Sequence, residues 1–155
     1  MILSYQMMTT TEAAMSEFDP ANYGIPTGYR HWVGDKAEDA IGPFFFYMDG
    51  DSPRTAFRVE ARHCNAHDSV HGGILMTFAD YTLCLGANAG TSESVATVSL
   101  NCEFTAPAFT GAIVKGECEV IRRGGSIVFT RCDLKVDDQV VLVASAVIKR
   151  INMKK

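Results

Sequence analysis

The sequence predicts an α+β domain in which a curled antiparallel sheet of about six strands wraps around one long buried helix. Two β-rich runs precede a single helical segment, and four long β-rich runs follow it. The helical segment, residues 73–90, reads GILMTFADYTLCLGANAG and lacks the alternation of a half-buried strand. It is apolar on almost every side, which is typical of a helix that is buried all round. A sheet that covers such a helix has to curl around it.

The composition is that of one ordinary globular domain. The chain has 155 residues, of which 47% are hydrophobic and 21% are charged, and this length suffices for a core without covalent staples. A formal net charge of −4 gives no indication of a nucleic-acid-binding protein. The five cysteines are odd in number and widely spaced, without a C-x-x-C pair, and therefore favour a reducing compartment.

The amino-terminal sequence MILSYQMMTTTEAAMSEF has neither a basic start nor a sustained apolar stretch, so a signal peptide is not expected. No run approaches the roughly 18 apolar residues that are needed to span a bilayer. Together with the cysteine usage, these features predict a cytoplasmic protein that is not associated with a membrane.

Residues 1–42 are predicted to form an arm and a loop region packed on the domain, and residues 43–151 the domain itself. The domain starts with a hairpin: the run GPFFFYM (42–48) is followed by a turn and then by TAFRVEARH (55–63), which alternates apolar and charged residues. Gly90 is the predicted carboxyl-terminal cap of the helix. The later strands are predicted over 94–107, 112–123, 126–136 and 139–151.

The stretch HCNAHDSVHGG, residues 63–73, holds three of the four histidines. A metal site would need His63, His67 and His71 to converge. Their spacing would suit one face of a helix, but the path runs from a strand end through a loop to a helix start, which scatters the three rings. No metal site is therefore predicted.

Two features of the helical segment indicate chemistry. Gly72 and Gly73 occupy its first turn, where each costs about 1 kcal/mol relative to alanine. They permit either a tight turn or the approach of a ligand to unpaired N–H groups, which could form an oxyanion hole. Asp80 is the only charged residue of the apolar helix. It is either a hydrogen-bonded structural carboxylate, or a general base or nucleophile.

Several motifs together carry a resemblance to a known family. Asn65 is followed by five residues and then by His71–Gly73, with Asp80 and Thr97 further on. The pattern continues in the segments FTAPA (104–108), RRGGSIVFTRCDL (122–134) and VASAVIKR (143–150). Over residues 43–151 the chain resembles the hotdog-fold acyl-CoA thioesterases, in particular the PaaI type. The resemblance implies the hotdog fold and the hydrolysis of an acyl-CoA to the free acid and CoA.

The same resemblance implies roles for individual residues. Asp80 would be the general base or the nucleophile, a choice that the sequence leaves open. Thr97, otherwise an ordinary strand residue, would assist Asp80 and the attacking water. The Gly72 N–H would donate to the oxyanion, and Asn65, otherwise a turn former, would polarise the thioester carbonyl or orient the water.

Further residues are predicted to contact the substrate. His71 is expected to fix the loop through its ring nitrogens, next to Gly73. Arg122, Arg123 and Gly124 fall at a hairpin end, where one interpretation is a solvated turn. The other interpretation is that these residues bind the phosphates of CoA, since the resemblance implies that the nucleotide lies near this segment.

The spacing of Gly72 and Asp80 predicts a site that two chains share. Eight residues of helix separate them by ~12 Å, whereas both groups must lie about 3 Å from the reacting group. Two antiparallel copies satisfy this, with Asn65 and Gly72 from one subunit and Asp80 and Thr97 from its mate. The helix face that one chain leaves uncovered also favours a homodimer, and the resemblance implies a further pairing into a dimer of dimers.

The predicted function is hydrolysis of an acyl- or aryl-CoA thioester without metal or cofactor, CoA being part of the substrate. The polar pair His67–Asp68 stands where the resemblance implies small or apolar residues, which leaves an aryl or polar acyl group open. One alternative is a non-catalytic acyl-CoA-binding or regulatory module of the same fold, against which the Asp80–Thr97 pair argues. A hydratase is a third interpretation, but the Asp–His motif of such enzymes is not found here.

Overall fold

The computed structural model describes residues 2–3, 18–89, 91 and 93–151. In these ranges eight strands form one antiparallel sheet in the order β1-β5-β8-β7-β6-β4-β3-β2. The strands are β1 (Ile2–Leu3), β2 (Arg30–His31), β3 (Phe45–Asp49), β4 (Ser52–Arg58), β5 (Ser94–Phe104), β6 (Ile113–Arg123), β7 (Ile127–Val136) and β8 (Gln139–Ile151). The α-helices are α1 (Lys36–Ile41) and α2 (Gly72–Asn88), and two 3-10 turns span Pro20–Tyr23 and Ala61–His63.

The predicted α+β architecture is confirmed, with a curled antiparallel sheet around the long helix α2. The six predicted strands are the six long ones. The strand predicted over 55–63 is wrong at its end: pairing stops at Arg58, and a 3-10 turn follows because Glu60 accepts from the backbone of His63 and His63 accepts from the backbone of Glu60. Gly90, the predicted helix cap, lies outside the described residues.

Helix α2 is the centre of the core. From Phe78 onward nearly all its side chains are buried, because the curled sheet contacts it through β4, β5, β6, β7 and β8. Phe78 packs edge-on against Phe57 at 4.8 Å between ring centroids, and Phe44 lies 5.1 Å from Phe78. Burial of such aromatic side chains supplies a large part of the stability of a domain this size.

Small residues let α2 lie close to the sheet. A Cβ at Gly86 would fall 2.2 Å from the Sγ atom of Cys118 on β6. The helix also makes a buried polar contact with the sheet, since the hydroxyls of Thr82 and Thr55 lie 2.7 Å apart. None of the helices in the described ranges is long and apolar enough to cross a membrane.

The described part of residues 1–42 contacts the sheet at several places. Strand β2 pairs with β3, and Ile25 is buried with Phe45 and Ala56 in a small second cluster. Helix α1 begins at Lys36, where the Asp35 side chain accepts hydrogen bonds from two helix N–H groups. The predicted division at residue 42 stays a prediction.

Candidate active site

The carboxylate of Asp80 and the hydroxyl of Thr97 meet where the middle of α2 faces β5. The Thr97 hydroxyl donates to Asp80 Oδ1 at 2.5 Å, and both residues are partly buried. Thr97 stands at a β-bulge, because the register of β5 against β8 shifts between Thr97 and Ser99. Bulges re-aim side chains next to functional sites. A short hydrogen bond to an ionised carboxylate is among the stronger polar contacts in proteins.

A third group, Cys84, joins this pair. It follows Asp80 by four residues and therefore lies one helical turn away on the same face. Its buried Sγ atom is 3.2 Å from Thr97 Oγ1 and 3.9 Å from Asp80 Oδ1. Since the Thr97 hydroxyl gives its proton to Asp80, its oxygen accepts from the Cys84 thiol. Burial raises the pKa of Cys84 to about 12, with Asp80 adding to the effect, so the thiol keeps its proton.

The amino terminus of α2 leaves one amide free. His71 caps the helix: its Nδ1 accepts from the Gly73 N–H at 3.0 Å, and its carbonyl accepts from the N–H groups of Ile74 and Leu75. Within the described residues, the Gly72 N–H donates to no acceptor. The sequence singled out this same amide as an oxyanion donor, a role that stays a prediction.

Gly72 is also the point at which an aromatic ring approaches the helix. A Cβ at this position would lie 3.1 Å from the Cζ atom of Phe104 at the end of β5. Phe104 is 52% exposed. A larger residue at position 72 would therefore displace the ring, so the glycine keeps Phe104 and the free amide side by side.

Asn65 organises the loop before α2. Its Oδ1 accepts from the His67 N–H at 2.8 Å and from the Ser69 hydroxyl at 3.3 Å, and its own N–H donates to the Ser69 carbonyl. The side-chain carbonyl is thus used inside the loop, and the exposed NH2 group is the part of Asn65 that remains for a substrate carbonyl.

The predicted site residues form two groups in one chain. Asp80 and Thr97 are in direct contact, while Asn65, His71, Gly72 and Gly73 belong to the loop and the first turn of α2. Because α2 runs unbroken from Gly72 to Asn88, the amide of Gly72 and the carboxylate of Asp80 stay ~12 Å apart.

The three clustered histidines do not converge. His63 is buried, its Nδ1 accepts from the Glu60 N–H, and burial lowers its pKa. His71 caps α2, and His67 is exposed. Across the described ranges, no group of three or more His, Cys, Asp or Glu side chains is placed to hold a metal ion.

The two arginines at the β6 end have different surroundings. Arg123 donates to the carbonyls of Gly86, Ala87 and Ala89, at the carboxyl terminus of α2. Arg122 is exposed and has no polar partner among the residues that the structure describes. The N–H of Gly124 donates to the Ile127 carbonyl and so closes the turn. Contact of these residues with CoA stays a prediction.

Sequence reasoning missed Cys84 in the site and, outside it, a buried carboxyl group on α1, Glu38. Cys84 had a signal, namely its spacing of four residues from Asp80. Glu38 on α1 had none, because its stretch is rich in turn formers and predicts only a loop with one short helical or irregular piece. Its side chain is only 1% exposed, although a glutamate is rarely buried without a partner.

The comparisons with known proteins identify the family. A family model described as the thioesterase superfamily matches residues 67–143. A protein of Pseudomonas aeruginosa, named "Putative esterase PA0474", is 30% identical over 127 residues, covering 79% of this chain and 95% of that protein. The chain belongs to the thioesterase superfamily.

Solved structures agree on the fold of this superfamily member. The PaaI protein of E. coli from the phenylacetic acid degradation operon has a TM-score of 0.71 at 21% identity, over 77% of this chain and 86% of that one. Thioesterase HI1161 of Haemophilus influenzae has a TM-score of 0.71 at 17% identity, over 79% and 87% of the two chains. At these identities the likeness establishes the hotdog fold alone.

Proposed function

We propose that the protein hydrolyses acyl-CoA or aryl-CoA thioesters to the free acid and CoA. The observation that carries the proposal is the hydrogen bond from Thr97 to Asp80, which is the only charged residue of helix α2 and lies in its middle. A partly buried carboxylate at such a place is expensive unless it has a task. Membership of the thioesterase superfamily supports thioester hydrolysis as that task.

In the proposed reaction Asp80 acts as the general base. Its Oδ1 is held by Thr97, which leaves Oδ2 to take a proton from a water molecule. The water oxygen attacks the thioester carbonyl, and the carbonyl π electrons move onto its oxygen. The Gly72 N–H and the Asn65 amide of a second copy stabilise this oxyanion. The intermediate collapses, the C–S bond breaks, and CoA leaves as its thiolate. The proton on Asp80 then passes to the departing thiolate, which restores the carboxylate, so the reaction needs no group beyond these residues, water and the CoA ester.

A homodimer is proposed because one chain keeps the two groups apart. Strand β5 lies at an edge of the main sheet, and β1 pairs there only with Val95 and Ala96. If two copies pair antiparallel along the stretch from Thr97 to Phe104, Thr97 of one copy faces Phe104 of the other. Phe104 contacts Gly72 in its own chain. Such pairing therefore brings Asp80 and Thr97 beside the free amide of the partner. Further pairing of dimers stays a prediction.

The test starts with Asp80→Asn, assayed against a panel of short, long and aryl CoA esters. The variant is expected to lose nearly all turnover, since an amide cannot take a proton from water. Retained hydrolysis in a folded dimer overturns the mechanism. Calorimetry that detects CoA-ester binding without hydrolysis by the unaltered protein would instead favour a non-catalytic binding module.

Subunit mixing tests the shared site. The two variants Asp80→Asn and Asn65→Ala are mixed and refolded together. Random pairing makes about half of the dimers mixed, and each mixed dimer has one intact site out of two. The mixture is therefore expected to show about a quarter of the activity of the unaltered protein. The matched control mixes Asp80→Asn with Thr97→Ala. Both changes fall on the same half of the site, so this mixture is expected to recover nothing. Equal results for the two mixtures contradict the shared site.

A further inference from the structure

Cys84 contacts the Asp80–Thr97 pair but has no task in the proposed mechanism. Its Sγ atom lies 3.2 Å from Thr97 Oγ1 and 3.9 Å from Asp80 Oδ1. The side chain of Cys84 is fully buried, whereas Asp80 and Thr97 are only partly buried. The thiol therefore lies behind the pair, on the side of the core, where a substrate does not reach it.

A second buried cysteine shows what a packing role alone looks like. Cys132 on β7 is 3% exposed and belongs to the apolar core. Its thiol makes no hydrogen bond within the described ranges, in contrast to that of Cys84. Buried cysteines usually act as small apolar residues with a weak S–H donor. Packing therefore accounts for Cys132 but leaves the two oxygen contacts of Cys84 unexplained.

The direction of the hydrogen bonds follows from the number of protons. An ionised carboxylate only accepts, and a threonine hydroxyl carries a single proton. The 2.5 Å bond from Thr97 to Asp80 Oδ1 uses that proton. The Thr97 oxygen can then only accept from Cys84, whose thiol keeps its proton because burial raises its pKa to about 12. The three groups thus form one chain, from the thiol through the hydroxyl to the carboxylate.

This chain favours one orientation of the Thr97 side chain. The Cβ atom of threonine carries a hydroxyl and a methyl group, and a rotation of about 120° about χ1 moves one into the place of the other. A methyl group cannot donate to Asp80. Thr97 also stands at the bulge of β5, where the regular pairing with β8 is disrupted. The thiol is a contact that favours the rotamer in which the hydroxyl faces Asp80.

We propose that Cys84 is a positioning residue of the candidate active site: its thiol holds the Thr97 hydroxyl on Asp80 Oδ1 and thereby keeps Oδ2 free for water. This inference rests on the proposed function. No bond to sulfur forms or breaks, and Cys84 acts on the reaction only through Thr97. A hydrogen bond within such a chain also polarises the next one, which strengthens the bond to the carboxylate.

The first experiment compares kcat and KM for one CoA ester among the unaltered protein, Cys84→Ala and Cys84→Ser, per folded dimer. The net worth of one hydrogen bond corresponds to about three- to tenfold in rate, so kcat of Cys84→Ala is expected to fall by that factor. KM is expected to stay unchanged, because the base acts in the transition state and not on binding. Cys84→Ser keeps a donor at this position and is expected to recover most of kcat.

Cys132→Ala is the matched control. It removes a buried thiol from the same core, without a described contact to the Asp80–Thr97 pair. Its free energy of unfolding in urea is expected to fall, as that of Cys84→Ala does, but its kcat is expected to stay unchanged. Equal losses of kcat in the two variants would mean that kcat follows stability and not the orientation of Thr97, which contradicts the inference.

The variant Thr97→Val tests whether Cys84 acts through Thr97. Valine has a methyl group in place of the hydroxyl, so the thiol has no oxygen left to hold at this position. Cys84→Ala is therefore expected to lower kcat of the unaltered protein but not the residual kcat of Thr97→Val. An equal loss in both backgrounds, or an unchanged kcat for Cys84→Ala alone, overturns the inference while the Asp80→Asn result for the proposed function stands.

A second measurement does not depend on hydrolysis. The infrared S–H stretching band moves to lower frequency when the thiol donates a hydrogen bond, and the difference spectrum against Cys84→Ala isolates the band of Cys84. In Thr97→Val this band is expected at higher frequency, because the nearest acceptor is gone and Asp80 Oδ1 lies further away, at 3.9 Å. If Cys84→Ala does not fold, the difference between the unaltered protein and Thr97→Val shows the displacement directly. An unshifted band contradicts the chain of hydrogen bonds, whether or not the protein hydrolyses thioesters.

Discussion

The buried carboxyl of Glu38 makes a quantitative prediction for stability. Its pKa rises from an ordinary value of 4.5 to about 8 on folding. Between these values the folded chain keeps a proton that the unfolded chain releases. The stabilisation from this proton is fully present below pH 4.5 and is lost as the pH rises through 8. At 1.36 kcal/mol per pH unit, a difference of about 3.5 units amounts to about 5 kcal/mol at most.

The substitution Glu38→Gln removes the proton linkage and retains the shape of the side chain. The assay is urea denaturation at one protein concentration from pH 4.5 to pH 9.5. The free energy of unfolding of Glu38→Gln, minus that of the unaltered protein, is expected to increase across this range and to level off above pH 8. Glu119→Gln serves as the control, since its carboxyl is exposed and pairs with Arg131. Parallel curves for Glu38→Gln and the unaltered protein would refute the reasoning.

Three further predictions concern helix α2 and the end of β6. Gly86→Ala is expected to lower the free energy of unfolding in urea by about 1–3 kcal/mol despite its better helix propensity, because its Cβ would fall 2.2 Å from the Cys118 Sγ atom. Adding Cys118→Gly is expected to restore part of this loss. Unchanged stability of the single variant contradicts the close approach. Arg123→Met is expected to cost about 1.5–3 kcal/mol, since its guanidinium holds carbonyls of the helix end. Arg122→Met is expected instead to raise KM for a CoA ester but not for a pantetheine ester, which lacks the nucleotide; equal effects on both esters would argue against a phosphate contact.

The main elements were predictable because their patterns are long. Helix α2 has 17 residues and the strands after it have 10 to 13, enough for periodicity to separate helix from strand. Strands β1 and β2 have two residues each and carry no period. The end of β4 was missed for another reason: the alternation of apolar and charged residues continues past Arg58, but the capping contacts of Glu60 and His63 redirect the chain.

The candidate site was predictable only in part. Asp80 could be selected because a single charge in an apolar helix is conspicuous, and its contact with Thr97 agrees with the resemblance. The inward turn of Glu38 could not be predicted, because α1 has six residues and a glutamate is expected to face water. The hydrogen bonds from Arg123 to the end of α2 depend on how β6 lies along the helix. The local sequence around Arg123 does not determine that arrangement.

The two ends of α2 differ in their contacts: a charged side chain binds the carboxyl-terminal carbonyls, whereas among the described residues the Gly72 N–H at the amino terminus has no acceptor. A helix carries roughly half a positive charge at its amino terminus and half a negative charge at its carboxyl terminus. Arg123 places a full positive charge against the carboxyl-terminal carbonyls, which more than cancels the negative end. The positive end at Gly72 carries no such counter-charge in the described contacts, and its field acts on groups within about one turn of that end. The helix thus presents a positive potential to an anion at its amino terminus, while Arg123 stabilises the opposite end of the same helix.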